Sequence, residues 1–389
     1  MRYRILTLNN ISSRGLERLP RERYEVGAEL SAPNAILVRS ADMHGFTAPA
    51  SLLAVARAGA GVNNIPVSEL SKRGVPVFNS PGANANAVKE LVLAGLLLAA
   101  RNICPAWSFA RGLEGDDATL DAAVEQGKKK FVGFELPGRT LGVVGLGAVG
   151  VEVANSALAL GMKVLGYDPQ ITVQRAWQLS ASVEQALSLD DLFARADVVT
   201  VHVPLNPETE KLVNDTRLKL MRKGGVILNF ARAPIVDARA VIAALDAGRL
   251  QAYVCDFPSN VLKNHPRVVA LPHLGASTSE AEENCAIMAV DTLRDFLENG
   301  NLRHSVNYPE AVLPRVPDTT RLAIANSNVP NMVGQISTCL ATAGLNIADL
   351  LNKSRGEYAY TLIDTDGTVS EDLAARIRRI EGVLSTRVI

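Results

Sequence analysis

Residues 140–150 read Thr140-Leu-Gly-Val-Val-Gly-Leu-Gly-Ala-Val-Gly150, and Lys163-Val-Leu-Gly-Tyr167 follows with Asp168 at its end. The first five residues form an apolar, β-prone strand. Glycines at 145, 147 and 150 then break the chain before the helical run Val151–Leu160, which Gly161 closes. Each glycine has its own reason. Gly145 permits a tight turn, Gly147 lets backbone approach a pyrophosphate, and Gly150 lets helix and strand pack closely. The helix start points free N–H groups at the phosphates. A carboxylate at the tip of the second strand accepts hydrogen bonds from a ribose 2′-hydroxyl and repels a 2′-phosphate, so Asp168 selects NAD over NADP.

Working outward, 389 residues exceed one ordinary domain and suggest two or three. Hydrophobic residues make up 48% and aromatics 5%, the profile of an Ala/Val/Leu-rich α/β protein. Forty Lys+Arg balance forty Asp+Glu, which argues against nucleic acid or an anionic membrane as a partner. Cys104, Cys255, Cys285 and Cys339 lack metal-ligand spacing and read as free thiols in a reducing cytoplasm. No signal peptide is visible, and the apolar run Leu91–Ala100 is too short to span a bilayer.

Before the glycine loop, short strands at 4–8, 35–38 and 75–78 alternate with polar turns. After it, strands are expected at 198–202, 226–230, 252–255 and 268–271, with helices between them, which implies a parallel sheet. The reading is therefore α/β: two Rossmann-like domains, flavodoxin-like and NAD-binding, with a cleft between them. The expected boundaries are 1–95 for the substrate domain, with 285–308 returning to it, and 96–284 for the NAD domain. Pro309, Pro314 and Pro317 mark 309–318 as a linker. Residues 319–389 then read strand, helix, strand, strand, helix, strand, a ferredoxin-like βαββαβ order.

Oxidising an alcohol with NAD needs a proton acceptor, a cation for the substrate's acid group and a hydride path. Asn229-Phe-Ala-Arg232, Cys255-Asp256 and Pro272-His-Leu-Gly-Ala-Ser-Thr278 all fall at ends of late strands, where an open α/β sheet binds ligands. Singly, Arg232 reads as a surface arginine and His273 as a structural histidine. Together they read as a site.

With Leu37-Val-Arg-Ser40, Arg57-Ala-Gly-Ala-Gly61 and Asn79-Ser-Pro-Gly82, these motifs resemble the D-specific 2-hydroxyacid dehydrogenases over nearly the whole chain. The resemblance implies that Arg232 binds the substrate carboxylate and that His273 is the acid/base. It places Asp256 beside the nicotinamide carboxamide, Ala148 and Val149 over the pyrophosphate, and Phe230, Ala231, Gly275 and Ala276 along the cofactor. Arg39, with Ser40 beside it, and Arg57 match phosphate-binding positions, as guanidinium forks suit. Lys128 matches a basic residue that reaches in from a neighbouring subunit, which implies a homo-oligomer, dimer or tetramer. A solvated charge run is the competing reading for 128–130. Asn84 and Asn86 lie in a loop that closes on substrate in such enzymes.

One departure stands out. Most of the family carries a glutamate soon after the Asp256 position that hydrogen-bonds the histidine, yet 257–272 contains no acid. An acid from elsewhere serves, or His273 works unassisted, or activity is reduced. Asn260 and His265 are candidates to fill the space.

The tail resembles an ACT regulatory domain through 326–334 and Gly344-Leu-Asn-Ile-Ala348. By that resemblance Asn326, Asn328 and Asn346 bind an amino acid effector such as L-serine. The plain alternative is that Asn328 caps the following helix and the domain only dimerises. The expected activity is NAD-dependent oxidation of 3-phospho-D-glycerate to 3-phosphooxypyruvate, the first step of serine synthesis. A reductase of another 2-oxo or 2-hydroxy acid, or a weakly active sensor, is the alternative.

Overall fold

The computed structural model describes residues 2–389. Two compact units divide it, residues 1–84 with 279–389, and residues 85–278.

In the first unit, β1 (Tyr3–Leu8), β2 (Tyr24–Gly27), β3 (Ala35–Val38), β4 (Ala54–Arg57) and β5 (Val77–Phe78) form a parallel sheet in the order β2-β1-β3-β4-β5. That is the flavodoxin-like order. β3 is buried at every residue, as a strand covered on both faces must be. The helix Ser279–Asn299 packs on β3 and β4. Its buried stripe of Ala281, Cys285, Ala289, Leu293, Phe296 and Leu297 recurs at helical spacing, and Glu280 and Glu282 suit its positive N-terminal end.

In the second unit, β6 (Thr140–Val144), β7 (Lys163–Tyr167), β8 (Glu184–Gln185), β9 (Val198–Val201), β10 (Gly225–Asn229), β11 (Leu250–Cys255) and β12 (Val268–Ala270) are parallel in the order β12-β11-β10-β9-β6-β7-β8. The order reverses beside β6, so the crevice at its carboxyl end is the topological switch point of a Rossmann sheet. The apolar run expected as a buried helix lies in Ala85–Ala100. Gly95 lets it approach, because a Cβ there would sit 2.8 Å from the Phe230 ring.

Returning to the first unit, β13 (Thr320–Ser327), β14 (Ile347–Arg355), β15 (Tyr358–Thr365) and β16 (Val383–Val388) form an antiparallel sheet in the order β14-β15-β13-β16. The helices Met332–Thr342 and Glu371–Arg378 complete the ferredoxin-like arrangement. Leu322, Ile324 and Ile363 meet these helices. On the opposite face Ala323, Ala325, Tyr360 and Leu362 join the core formed by the first sheet and Phe296. Tyr360 donates to the Gly300 carbonyl at 2.8 Å. Arg387 donates to the carbonyls of Phe296 and Leu297 and lies 4.5 Å over the Phe296 ring.

Residues 309–318 lie against this assembly, with Ala311 bridged to Leu302 and Leu313 buried. At the sheet's base Arg321 and Asp364, both 0% exposed, pair at 2.6 Å. The Arg321 guanidinium also donates to the carbonyls of Asn299, Leu313 and Pro314, which fastens that segment. No described helix is long and apolar enough to cross a membrane.

Candidate active site

The glycine loop has the geometry its sequence requires. Gly145 sits at φ +89, where a Cβ would meet the His202 carbonyl at 2.7 Å. At Gly150 a Cβ would lie 1.9 Å from the Gly145 carbonyl oxygen, so any side chain would push the helix off the turn. Around Gly147 the space is open, with no atom within 4 Å of such a Cβ. This residue begins the helix Ala148–Ala159, and no side chain caps it. The first amides of that helix are thus available to an anion. Asp168 reaches back across the switch point, its Oδ2 accepting from Leu146 N at 2.8 Å and its Oδ1 from Gln170 N at 2.9 Å. An open glycine cradle, an uncapped helix start and a carboxylate on the next strand fit an adenine dinucleotide with a free ribose 2′-hydroxyl.

Across the same sheet, Arg232, Asp256 and His273 follow the adjacent strands β10, β11 and β12. Buried Asn229 holds the first turn, with Oδ1 accepting from Ala231 N and Nδ2 donating to the Arg232 carbonyl. The Arg232 side chain is exposed, and its Nη1 donates to the Ala231 carbonyl. Backbone hydrogen bonds stitch the tips together, from Asp256 N to Asn229 O at 3.2 Å and from His273 N to Asp256 O at 3.1 Å.

Asp256 is 1% exposed, and its carboxylate is the keystone of the next turn. Oδ1 accepts from Leu274 N and Oδ2 from Gly275 N, both at 2.7 Å. His273 itself has φ +59, a left-handed backbone that costs a non-glycine residue about 1 kcal/mol. The bonds to Asp256 on its own amide and the next two hold it there. The imidazole is exposed, and its neighbour is the Phe257 ring, 5.2 Å between centroids.

The candidates proposed to fill the space beside His273 need correction. His265 is turned elsewhere, its Nε2 3.2 Å from Asp246 Oδ1 and its Nδ1 accepting from Arg267 N. Asn260 is exposed. An aromatic residue, Phe257, lies against the imidazole, and the acid-free sequence gave no signal that it would. His202 was also missed. It follows β9 beside Gly145, with Nε2 2.9 Å from Thr200 Oγ1, and burial of its ring pushes the pKa down to about 4.

In the first unit, Arg39 follows β3 and Arg57 ends β4, so two guanidiniums leave neighbouring strands at their carboxyl ends. Arg57 Nε donates to the Arg39 carbonyl at 2.9 Å and Nη1 to the Gly61 carbonyl at 2.5 Å. Gly59 makes room for it, since a Cβ there would lie 2.8 Å from Nη1. Arg39 Nη2 pairs at 2.6 Å with Glu282 on the long helix, a partner 243 residues away that no local pattern announces. Ser40 is exposed beside it and Asn84 ends the first segment of this unit. Asn86 lies inside the helix Ala85–Ala100, its amide on Glu90. Lys128 lies in a short 3₁₀ turn, exposed and paired with Glu125.

At the tail, Asn328 does not cap the following helix. Asn331, with φ +65, stands at that position, while Asn328 Nδ2 donates to the Gly356 carbonyl. Asn326 is 1% exposed, its amide donating to the Ser327 carbonyl. Asn346 is exposed. Cys255 and Cys285 are buried free thiols, Cys104 and Cys339 half-buried ones.

A Rossmann sheet with this loop, and with an arginine, an aspartate and a histidine on three successive strand tips, defines a dinucleotide-dependent oxidoreductase. The profile of the D-isomer specific 2-hydroxyacid dehydrogenase NAD-binding domain matches residues 96–275. The chain is 31% identical over 350 residues to D-3-phosphoglycerate dehydrogenase of Haemophilus influenzae, covering 87% of this chain and 81% of that enzyme. To the Archaeoglobus fulgidus enzyme of the same name it is 37% identical over 300 residues, 74% of this chain but 54% of that one, so it spans about half that relative's length. Among solved structures, NAD⁺-bound 3-phosphoglycerate dehydrogenase of Entamoeba histolytica aligns with a TM-score of 0.62 at 26% identity, covering 79% of this chain and 99% of that one. The chain belongs to the D-isomer specific 2-hydroxyacid dehydrogenase family, and its cofactor is NAD.

Proposed function

We propose that the protein oxidises 3-phospho-D-glycerate to 3-phosphooxypyruvate. The observation that carries this substrate is the pair Arg39 and Arg57 at the ends of neighbouring strands, which gives two guanidiniums for a phosphate. Relatives named for that reaction support the same reading. Bound at the glycine loop and Asp168, NAD supplies the hydride acceptor. Arg232 binds the substrate carboxylate and polarises the oxygen at the reacting carbon. His273 takes the hydroxyl proton as the C–H bond breaks, and returns it in the reverse direction. Phe230, Ala231, Asp256, Gly275 and Ala276 shape the wall for the nicotinamide. Ser40, Asn84 and, from a neighbouring chain in a homo-oligomer, Lys128 complete the substrate's surroundings.

We also propose that the tail is an ACT-like module that lowers activity when an amino acid such as L-serine binds near Asn328 and Asn346. The ferredoxin-like order and the exposure of both asparagines support it. The buried Asn326 serves as a positioning residue in this reading. The cytoplasm is the expected location.

The test is turnover of 3-phospho-D-glycerate with NAD, with His273→Ala as control. Arg57→Ala should raise KM for the phosphorylated acid by about ten-fold or more and barely change it for an unphosphorylated 2-hydroxy acid. Equal effects on the two would favour a dehydrogenase of another acid.

A further inference from the structure

Within the first unit, a cavity of about 240 Å³ lies where the antiparallel sheet's edge strand β16 faces the first domain. Ala50, Leu52, Leu53 and residues 73–75 line it from the first domain, together with Phe296. Tyr360, Arg378 and residues 384–387 supply the other side. Three arginines line it. Arg73 donates to the carbonyls of Ala48 and Pro49, and Arg387 to those of Phe296 and Leu297. Neither has a carboxylate partner among the described residues. Arg378 reaches Glu371 at 3.4 Å, but that carboxylate is 81% exposed and screened by water. Positive charge therefore accumulates over an otherwise apolar surface of leucine, valine and aromatic side chains.

We infer that this junction cavity binds a small organic anion, a carboxylate or phosphate carrying an apolar body. The arginines take the charged group, and the ligand bridges the first domain and the C-terminal sheet. The site shares no residue with the proposed dehydrogenase machinery and does not depend on it.

Benzoate and, separately, inorganic phosphate are the probes, titrated calorimetrically into the full chain. At least one should bind saturably below about 10 mM. Arg73→Gln and Arg378→Gln, both at exposed positions, should each weaken it by about five-fold, the loss of one charge-assisted contact. Arg57→Ala, at the proposed substrate-phosphate position, should leave unchanged the binding that Arg73→Gln and Arg378→Gln weaken. Binding of benzoate or of phosphate alone that both arginine variants weaken and Arg57→Ala leaves in place supports the site and tells carboxylate from phosphate. No saturable binding of either probe, affinity unchanged by both arginine variants, or binding abolished by Arg57→Ala overturns the inference.

Discussion

Phe257 lays its ring against His273, 5.2 Å between centroids and tilted by 59°, at the imidazole the family resemblance makes the acid/base. An aromatic neighbour gives an imidazolium far less support than a carboxylate does. Phe257→Glu should therefore move the ionisation that governs kcat/KM upward by about one pH unit or more, with Phe257→Gln as the uncharged control. A pH–rate profile that Phe257→Glu leaves in place would mean that the loop does not govern this proton.

Asp256 closes the turn that carries His273. Asp256→Ala strips the acceptor from two amides, the half-buried Leu274 N and the buried Gly275 N. We expect a loss of about 2–4 kcal/mol in urea unfolding. The drop in kcat/KM should be steeper than stability explains, because the left-handed His273 backbone loses its restraint.

Asp168→Ala should raise KM for NAD by about ten-fold and narrow the preference for NAD over NADP, since it removes both the ribose acceptor and the repulsion of a 2′-phosphate. Steady-state kinetics with the two cofactors check it. An unchanged NAD/NADP ratio would place discrimination elsewhere.

The fully buried Arg321–Asp364 pair makes Arg321→Met costly, by about 3–5 kcal/mol, because Asp364 is left as an unpaired buried charge. Arg321→Met with Asp364→Leu should recover part of that loss. Chemical denaturation of the two variants measures the difference.

His202 ties stability to pH. Its folded pKa of about 4 lies below the ordinary 6.5, so between these values the unfolded chain binds a proton the folded chain does not. Its contribution is complete above pH 6.5 and is lost as pH falls through 4, by up to about 3 kcal/mol. His202→Gln should flatten the stability–pH curve in that window. Equal slopes for the two proteins would contradict it.

The chain by itself determined whatever rests on local rules. Glycine spacing at 145–150 fixes a turn only glycine can make, Asp168 follows from the length of one helix and strand, and apolar runs expose the central parallel strands. Short β8 and the polar β2 carry too little periodicity to be read. The element order of the tail was likewise legible, because alternating helix and strand patterns need no distant partner. Tertiary structure alone decided which side chains meet. Arg39 finds Glu282, Arg321 finds Asp364 and Phe257 finds His273 only once the sheets and loops have been brought together. β13 and β15 read as strands of a third domain behind a linker, yet the face bearing Ala325 and Tyr360 is buried against the first domain's core. Burial of a second face depends on what packs there, and a one-dimensional pattern carries no record of that.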